Sequence, residues 1–302
     1  MFIGGYMILN VSGRTDICAF YSDWFINRYK EGYVMVRNPF REDLVSKIYF
    51  DDVDGIMFCT KNPIPMLNKL KYINKPYIFH VTLTPYKKDI EPNVPPKGKI
   101  IEAIKKLSNI VGIDNLYIRY DPVFLSDTYT LDYHIKEFDK LCELLDGYVK
   151  HIIISFIDIY KNVKNNMKYL KIKPFTDDDY KSIGINFSNS AKKHNMSVQT
   201  CFEENNLVEY GFVKGDCLNI QMAYKLTGKD DYKLWKSRKG GFCKCIEMVD
   251  IGEYNSCMHL CKYCYANYNE KIVCKKYEKN DPNSPLLIGN LKDSDIIKIR
   301  RK

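Results

Sequence analysis

The sequence predicts an α/β protein, a partly open (β/α) barrel built as one domain over residues 1–302. Three observations predict it. Short apolar runs alternate with helical patterns along the chain, as parallel strands joined by crossover helices require. Most runs end in a polar cluster, and parallel barrels gather their chemistry at the C-terminal ends of their strands. Three cysteines crowd one turn after the last run, Cys257-Met-His-Leu-Cys261-Lys-Tyr-Cys264.

The elements follow in order. Tyr6 to Val11 is the first run and ends in Ser12-Gly13-Arg14-Thr15-Asp16. An amphipathic stretch with Phe20, Trp24, Phe25 and Tyr29 comes next, with Gly32 as its stop. Ile56 to Cys59 is the second run, ending in Thr60-Lys61-Asn62-Pro63, and Tyr77 to Leu83 is the third, with Thr82 and Thr84 at its end. Ile100, Ile101, Ile104, Leu107 and Val111 mark one face of a helix. Leu116 to Tyr120 is the fourth run, bringing Arg119 and Asp121. His151 to Phe156 is the fifth, with Ser155 and Asp158, and Ser197 to Cys201 the sixth, ending in Cys201-Phe202-Glu203. Ile246 to Ile251 is the seventh and leads into the cysteine turn. No repeat, low-complexity tract or linker is visible. A single mouth lined by all seven strands is expected, with the polar segment from Lys275 to Lys302 packed around the outside.

A chain of this length can bury a full core. The net charge of +9, from 46 Lys+Arg against 37 Asp+Glu, is spread evenly and holds no Arg-rich block. It therefore reads as compositional bias before it reads as a nucleic-acid surface. The 24 tyrosines fit the same bias, although those near the site can stack on bases. Met1 to Val11 lacks a basic n-region and reads as a strand instead of a targeting peptide. No run approaches the roughly 18 apolar residues of a membrane span, so a cytoplasmic location is expected. Eleven cysteines, odd in number and clustered, then point to metal before disulfides.

Thiolates at C-x3-C-x2-C can take three corners of a cubane iron–sulfur cluster and leave one iron open. An open metal position is a reaction site, as at a catalytic zinc. A zinc finger closes its shell with a fourth ligand, and His259 between the thiols is badly placed for that. The competing reading is a structural zinc that borrows a distant residue. Cys201, Cys217, Cys243 and Cys245 form a second group within the Cys-rich segment 201–264. Four thiols close a shell, which suits a fully ligated second iron–sulfur cluster or a structural zinc. The plainer reading is buried apolar packing, the default also for Cys18, Cys59, Cys142 and Cys274. The five histidines show no pairing and read as core or surface residues.

The cysteine spacing, with Tyr263 before the last thiol, resembles the signature of radical S-adenosylmethionine enzymes. The longer string from Tyr254-Asn-Ser-Cys257 to Tyr263-Cys-Tyr265-Ala-Asn267 is similar to the spore photoproduct lyase-like branch. Thr60-Lys61-Asn62-Pro63, Thr82-Leu83-Thr84, Ile90-Glu91-Pro92-Asn93-Val94-Pro95-Pro96 and Arg119-Tyr120-Asp121-Pro122-Val123 resemble that branch's middle in the same order. In that superfamily the cysteines usually come first. The resemblance therefore implies a circular permutation in which the seventh strand stands beside Tyr6 to Val11, a cheap change where termini lie close together. The whole chain also resembles an uncharacterised bacterial family of the DUF1848 type, through Ser12-Gly-Arg-Thr-Asp-Ile17 and Asp250-Ile-Gly252 with the cysteine turn.

The resemblance implies a barrel of the radical type and a [4Fe-4S] cluster on Cys257, Cys261 and Cys264 that binds S-adenosylmethionine. It implies reductive cleavage to a 5′-deoxyadenosyl radical, an electron donor such as ferredoxin or flavodoxin, and a substrate that the residues do not name, nucleic acid among the options. Arg14, Asp16 and Arg119 are then the catalytic candidates. Ser12, Gly13, Thr15, Lys61, Thr82 and Tyr263 are the cofactor-binding candidates. Gly13 permits close backbone approach, and Asp16 either accepts from an ammonium or, like Thr15, caps the next helix. Lys61 and Arg119 suit a carboxylate, a ribose or an anionic substrate. Tyr263 lies near an adenine or packs behind the turn. Asp121 and Glu203 are weaker candidates. Two other classes stay open, a non-catalytic iron–sulfur redox or sensor protein and a zinc-containing nucleic-acid-binding protein.

Overall fold

Every strand of the main sheet runs in the same direction. The computed structural model describes residues 6–201, 203–235 and 243–301; Phe202, in the middle of the expected Cys201–Glu203 cluster, and the start of the chain before Tyr6 lie outside the described residues. In chain order the elements are β1 (Ile8–Val11), α1 (Ile17–Phe20), α2 (Ser22–Lys30), β2 (Tyr33–Asn38), β3 (Arg41–Tyr49), β4 (Gly55–Thr60), α3 (Ile64–Leu67) and β5 (Tyr77–Thr82). Then come α4 (Lys97–Val111), β6 (Leu116–Val123), α5 (Leu131–Leu144), β7 (His151–Phe156), α6 (Lys161–Leu170), α7 (Asp177–Lys193) and β8 (Ser197–Thr200). The chain continues with α8 (Ile220–Thr227), β9 (Val249–Asp250), α9 (Glu270–Tyr277) and β10 (Ile296–Ile299).

The seven-stranded sheet has the order β8-β7-β6-β5-β4-β1-β9. It follows the chain except at one place, where the last strand pairs in parallel with the first, Leu9 opposite Val249 and Asn10 opposite Asp250. The expected neighbours of the cysteine turn are therefore neighbours. Among the described residues no pairing joins β8 to β9, so the sheet is open. Of the expected seventh run only Val249–Asp250 is strand; Ile246 instead bridges antiparallel to Leu234.

Side chains alternate across a strand, and here both faces are covered. Leu9, Phe58, Val81, Ile118, Ile154 and Val198 join the large core under the helices, where Phe138 of α5 stacks on Phe187 of α7 with centroids 3.8 Å apart. Ile8, Met57 and Ile78 face the other way and pack under Leu218, Ala223, Tyr232 and Ile246. The helices form where local chemistry supports them. Thr176 and Asp179 make a reciprocal capping box at the start of α7, worth about 1 kcal/mol. The end of α4 passes into Gly112 at φ +81°, a conformation that costs glycine least.

A second sheet of order β10-β3-β2 stands apart in topology. The segment from Lys275 onward does more than wrap the outside, since β10 pairs in parallel with β3. All four β10 residues are exposed, so the strand lacks the buried alternation by which a sequence reveals one. Among the described residues no helix is long and apolar enough to cross a membrane.

Candidate functional site

Four carboxylates tie the strand ends together. Asp250, at the end of β9, accepts from Ser12 Oγ (2.8 Å), the Gly13 amide (2.6 Å) and Arg14 Nε (3.0 Å). Gly13 has a physical reason to be glycine, since a Cβ there would meet Asp250 Oδ2 at 3.1 Å. Asp16 caps α1 through the Ala19 amide (2.9 Å) and also accepts from Thr60 Oγ1 and the Lys61 amide, both at 2.7 Å. Its Oδ2 lies 2.9 Å from His259 Nε2. Of the two roles expected for Asp16, the cap is realised, and the carboxylate is filled by protein partners. Its expected place as a catalytic ammonium acceptor needs a free oxygen that it does not have. Thr15 is buried with its hydroxyl unpartnered among the described residues.

Glu91 is the third hub. It binds Lys61 Nζ (2.8 Å), Thr84 Oγ1 (2.7 Å), Lys97 and the Tyr263 hydroxyl. Against the cost of burial, the two lysines hold its carboxyl down at about 2. Tyr263 therefore sits behind the cysteine turn, 5.6 Å from the Tyr86 ring, which matches the packing alternative and not the open face. Asp121 is the fourth, bound to Arg119 and to Ser155 Oγ at 2.5 Å. Thr82 lies opposite Arg119 in the β5–β6 register.

The cysteine turn is seated from several sides. Asn267 Nδ2 donates to the Cys257 carbonyl (2.7 Å), Asn166 Nδ2 to that of Lys262 (2.7 Å), and Asn93 Nδ2 to that of Met258 (2.8 Å). Asn162, one turn before Asn166 on α6, reaches the Cys264 and Asn267 carbonyls, and Tyr21 reaches that of Ser256. Side-chain amides thus fix an irregular backbone through its acceptors. Burial raises the pKa of all three thiols, at Cys257 with the added charge of Asp16. A bound cation is what returns such thiols to thiolate.

The second thiol group converges on the opposite face of the sheet. Cys217 and Cys245 are buried with Tyr117 and Ile153, and Cys201 and Cys243 pack against them. The Cys201 and Cys217 sulfurs are 2.8 Å apart, and Arg119 Nη1 donates to Cys217 Sγ at 3.1 Å. The Cys245 amide donates to Cys243 Sγ at 3.3 Å. Asp216, Cys243 and Cys245 place their ligand atoms within 4.8 Å of one another, the one such group among the described residues. Cys257, Cys261 and Cys264 are spread more widely than that.

Between the two groups lies a mouth of polar side chains. Tyr265 stands near Cys264, Asp250 and Cys59, while Cys59 lies in the field of Arg119, Asp250, Asp16 and Asp121. Cys59 is thus part of the mouth and not plain packing. Lys61 faces Cys261 as well as Glu91. His80, 1% exposed, stacks on Tyr117 with both ring nitrogens unpartnered among the described residues, and burial pushes its pKa down to about 3. Burial pushes Glu203 up to about 8, its Oε1 accepting from the Phe156 amide at 2.8 Å. An open depression lined by Leu67, Leu70, Ile73 and Tyr77 lies at the other end of β5, and its lining carries no thiol, imidazole or carboxylate.

Sequence reasoning quoted Asp250 and Glu91 within longer strings without giving either a role, and missed Asp216, His80 and the pairing of His259 with Asp16. Asp216 was readable from its place beside Cys217; single acids such as Asp250 carry no local signature. No curated protein matches the sequence. Residues 8–266 match the family described as a domain of unknown function, DUF1848, and the chain belongs to that family.

Proposed function

We propose that this protein is a radical S-adenosylmethionine enzyme whose [4Fe-4S] cluster is held by Cys257, Cys261 and Cys264. The observation that carries the reading is the seat of the cysteine turn. It follows β9 directly, beside β1, at the C-terminal strand ends where α/β sheets collect their ligands. The thiols fit the group. They do not all lie within 4.8 Å of one another, which suits thiolates on separate irons, and three of them leave one iron open. When bound, the cluster with S-adenosylmethionine supplies reductive cleavage and a 5′-deoxyadenosyl radical for hydrogen abstraction from a substrate.

This chain's own residues hold and shield that site. Asn162, Asn166 and Asn267 fix the turn, and the Asp16–His259 pair locks it to β1 and β4. Lys61 brings a cation beside Cys261, and Gly13 brings backbone close to the mouth. Arg119 brings a cation to the second thiol group at Cys217, and that group holds a second metal, cluster or zinc. In this reading the sheet is the wall of a partly open barrel, and β9 beside β1 supports the circular permutation. A reduced ferredoxin or flavodoxin is the electron donor, in the cytoplasm.

One observation favours a non-catalytic iron–sulfur sensor instead, because Arg14 is already paired with Asp250, Lys61 with Glu91 and Asp16 with His259. The experiment that decides uses anaerobically reconstituted protein and a Cys257/Cys261/Cys264 triple-Ala variant. Iron, sulfide and 5′-deoxyadenosine are measured after S-adenosylmethionine and dithionite are added. Iron that falls in the variant, with nucleoside release by the wild type alone, supports the enzyme. Iron without cleavage moves the protein to the sensor class, and zinc on the three cysteines overturns the cluster.

A further inference from the structure

We infer that the second thiol group binds one tetrahedral dication of the zinc class, with Asp216 among its ligands, instead of an iron–sulfur cluster. The inference does not depend on what the cysteine turn binds. Its basis is spacing. Zinc bonds of about 2.3 Å to sulfur and about 2.0–2.2 Å to oxygen place neighbouring tetrahedral ligands roughly 3.5–4 Å apart. Asp216, Cys243 and Cys245 hold one oxygen and two sulfurs within 4.8 Å of one another, so a single ion can touch all three. A cubane attaches each thiolate to its own iron and needs the wider spread that the cysteine turn has.

Cys217, buried in the same small cluster as Cys245, is the fourth ligand of this shell. The surroundings suit a closed site. Tyr117 and Ile153 wall it with apolar surface, and the partners that orient ligands are in place, as metal sites require. The Lys244 amide donates to Asp216 Oδ1 at 2.7 Å, Gln199 Nε2 to the Asp216 carbonyl at 3.1 Å, and Arg119 to the Cys217 sulfur at 3.1 Å. Cys201 meets this set at Cys217, is not part of the Asp216/Cys243/Cys245 group, and in this inference stands outside the shell on the mouth side, next to Glu203. Four protein ligands with no open position make the site structural. It fastens the chain on both sides of α8 to the inner face of β6 and β7.

The test uses the full chain carrying the triple-Ala change at Cys257, Cys261 and Cys264, so that any metal retained belongs to the second group. The protein is made anaerobically with iron, sulfide and zinc all supplied, and metals are counted per chain. About one zinc, with no sulfide, is expected. Asp216→Ala in that background should weaken zinc, read by chelator competition, by more than the roughly 100-fold upper end of what loss of an outer-shell partner costs. Asp216→Cys should restore binding and, with Co2+ as the probe, strengthen the thiolate-to-metal absorption. Cys201→Ala should leave zinc in place. Iron with matching sulfide overturns the inference, as does zinc affinity untouched by Asp216→Ala. Loss of zinc from Cys201→Ala equal to that from Cys217→Ala removes Asp216 from the shell in favour of four thiols.

Discussion

The two cysteine groups solve the same problem in opposite ways. The turn at Cys257–Cys264 takes its three thiols from eight consecutive residues and spreads them, and it is held by hydrogen bonds to its backbone from Tyr21, Asn93, Asn162, Asn166 and Asn267. The group at Cys201–Cys245 gathers its thiols from the end of β8 and from both sides of α8, packs them tightly, and has mostly sulfur and apolar contacts to hold them. A site that other forces hold can exchange what it binds. A site that holds itself through a metal, as proposed for the second group, cannot.

The largest expected effect tests that difference. Structural zinc carries an apparent binding free energy of about 10 kcal/mol or more. A Cys243→Ala/Cys245→Ala variant should therefore melt lower by on the order of 10 °C or more. The triple-Ala change in the cysteine turn should cost far less. Scanning calorimetry of both checks it, and equal losses would erase the distinction between the groups.

Asp16→Ala comes next. It removes a buried carboxylate that joins α1, β4 and His259, and breaking such a set costs about 3–5 kcal/mol. Urea unfolding should show the loss with or without metal. A loss below about 1 kcal/mol would mean that the turn does not lean on this hub.

Acid sharpens the comparison through the face that holds the second group. His80, between Cys59 and Tyr117 in the sheet register and near Arg119, has a folded pKa of about 3 through burial against about 6.5 unfolded. A depressed value means that its share of stability is whole above pH ~6.5 and is lost as the pH falls, by about 1.4 kcal/mol per unit. His134, held at about 4 chiefly by burial, adds the same sign on the helix side. Glu203, raised to about 8 by burial, contributes below its unfolded value of ~4.3 and loses its share as the pH rises through 8. His80→Phe should flatten the acid limb by about 2 kcal/mol at pH 5. An unchanged limb would show that His80 gains a partner in solution.

How much of this was legible in the sequence follows from how local each signal is. The strands from Ile8 to Thr200 and the cysteine turn were readable because their patterns lie within a few residues. The β2–β3 hairpin and β10 were not, since β10 exposes all its side chains and gains its place from β3 alone. Asp250 looked like the tail of an apolar run, and only the β1–β9 pairing turns it into the partner of Ser12, Gly13 and Arg14. The place of His259 between the thiols speaks only against a fourth ligand, and its partner Asp16 lies 243 residues away. Long-range polar pairing leaves no period in a sequence.

The smallest effect is the most discriminating for the turn. Asn267→Ala removes the donor to the Cys257 carbonyl, a bond of 2.7 Å, and one such bond contributes about 1 kcal/mol. The melting temperature should move by only a few degrees, because Asn162, Asn166 and Asn93 still hold the neighbouring carbonyls. Metal content should respond more, since Cys257 is the thiol whose backbone loses its anchor. Iron per chain should therefore fall at the turn while the second group keeps its metal. If iron and melting temperature fall together, the turn is held by its metal after all, and the two groups are alike.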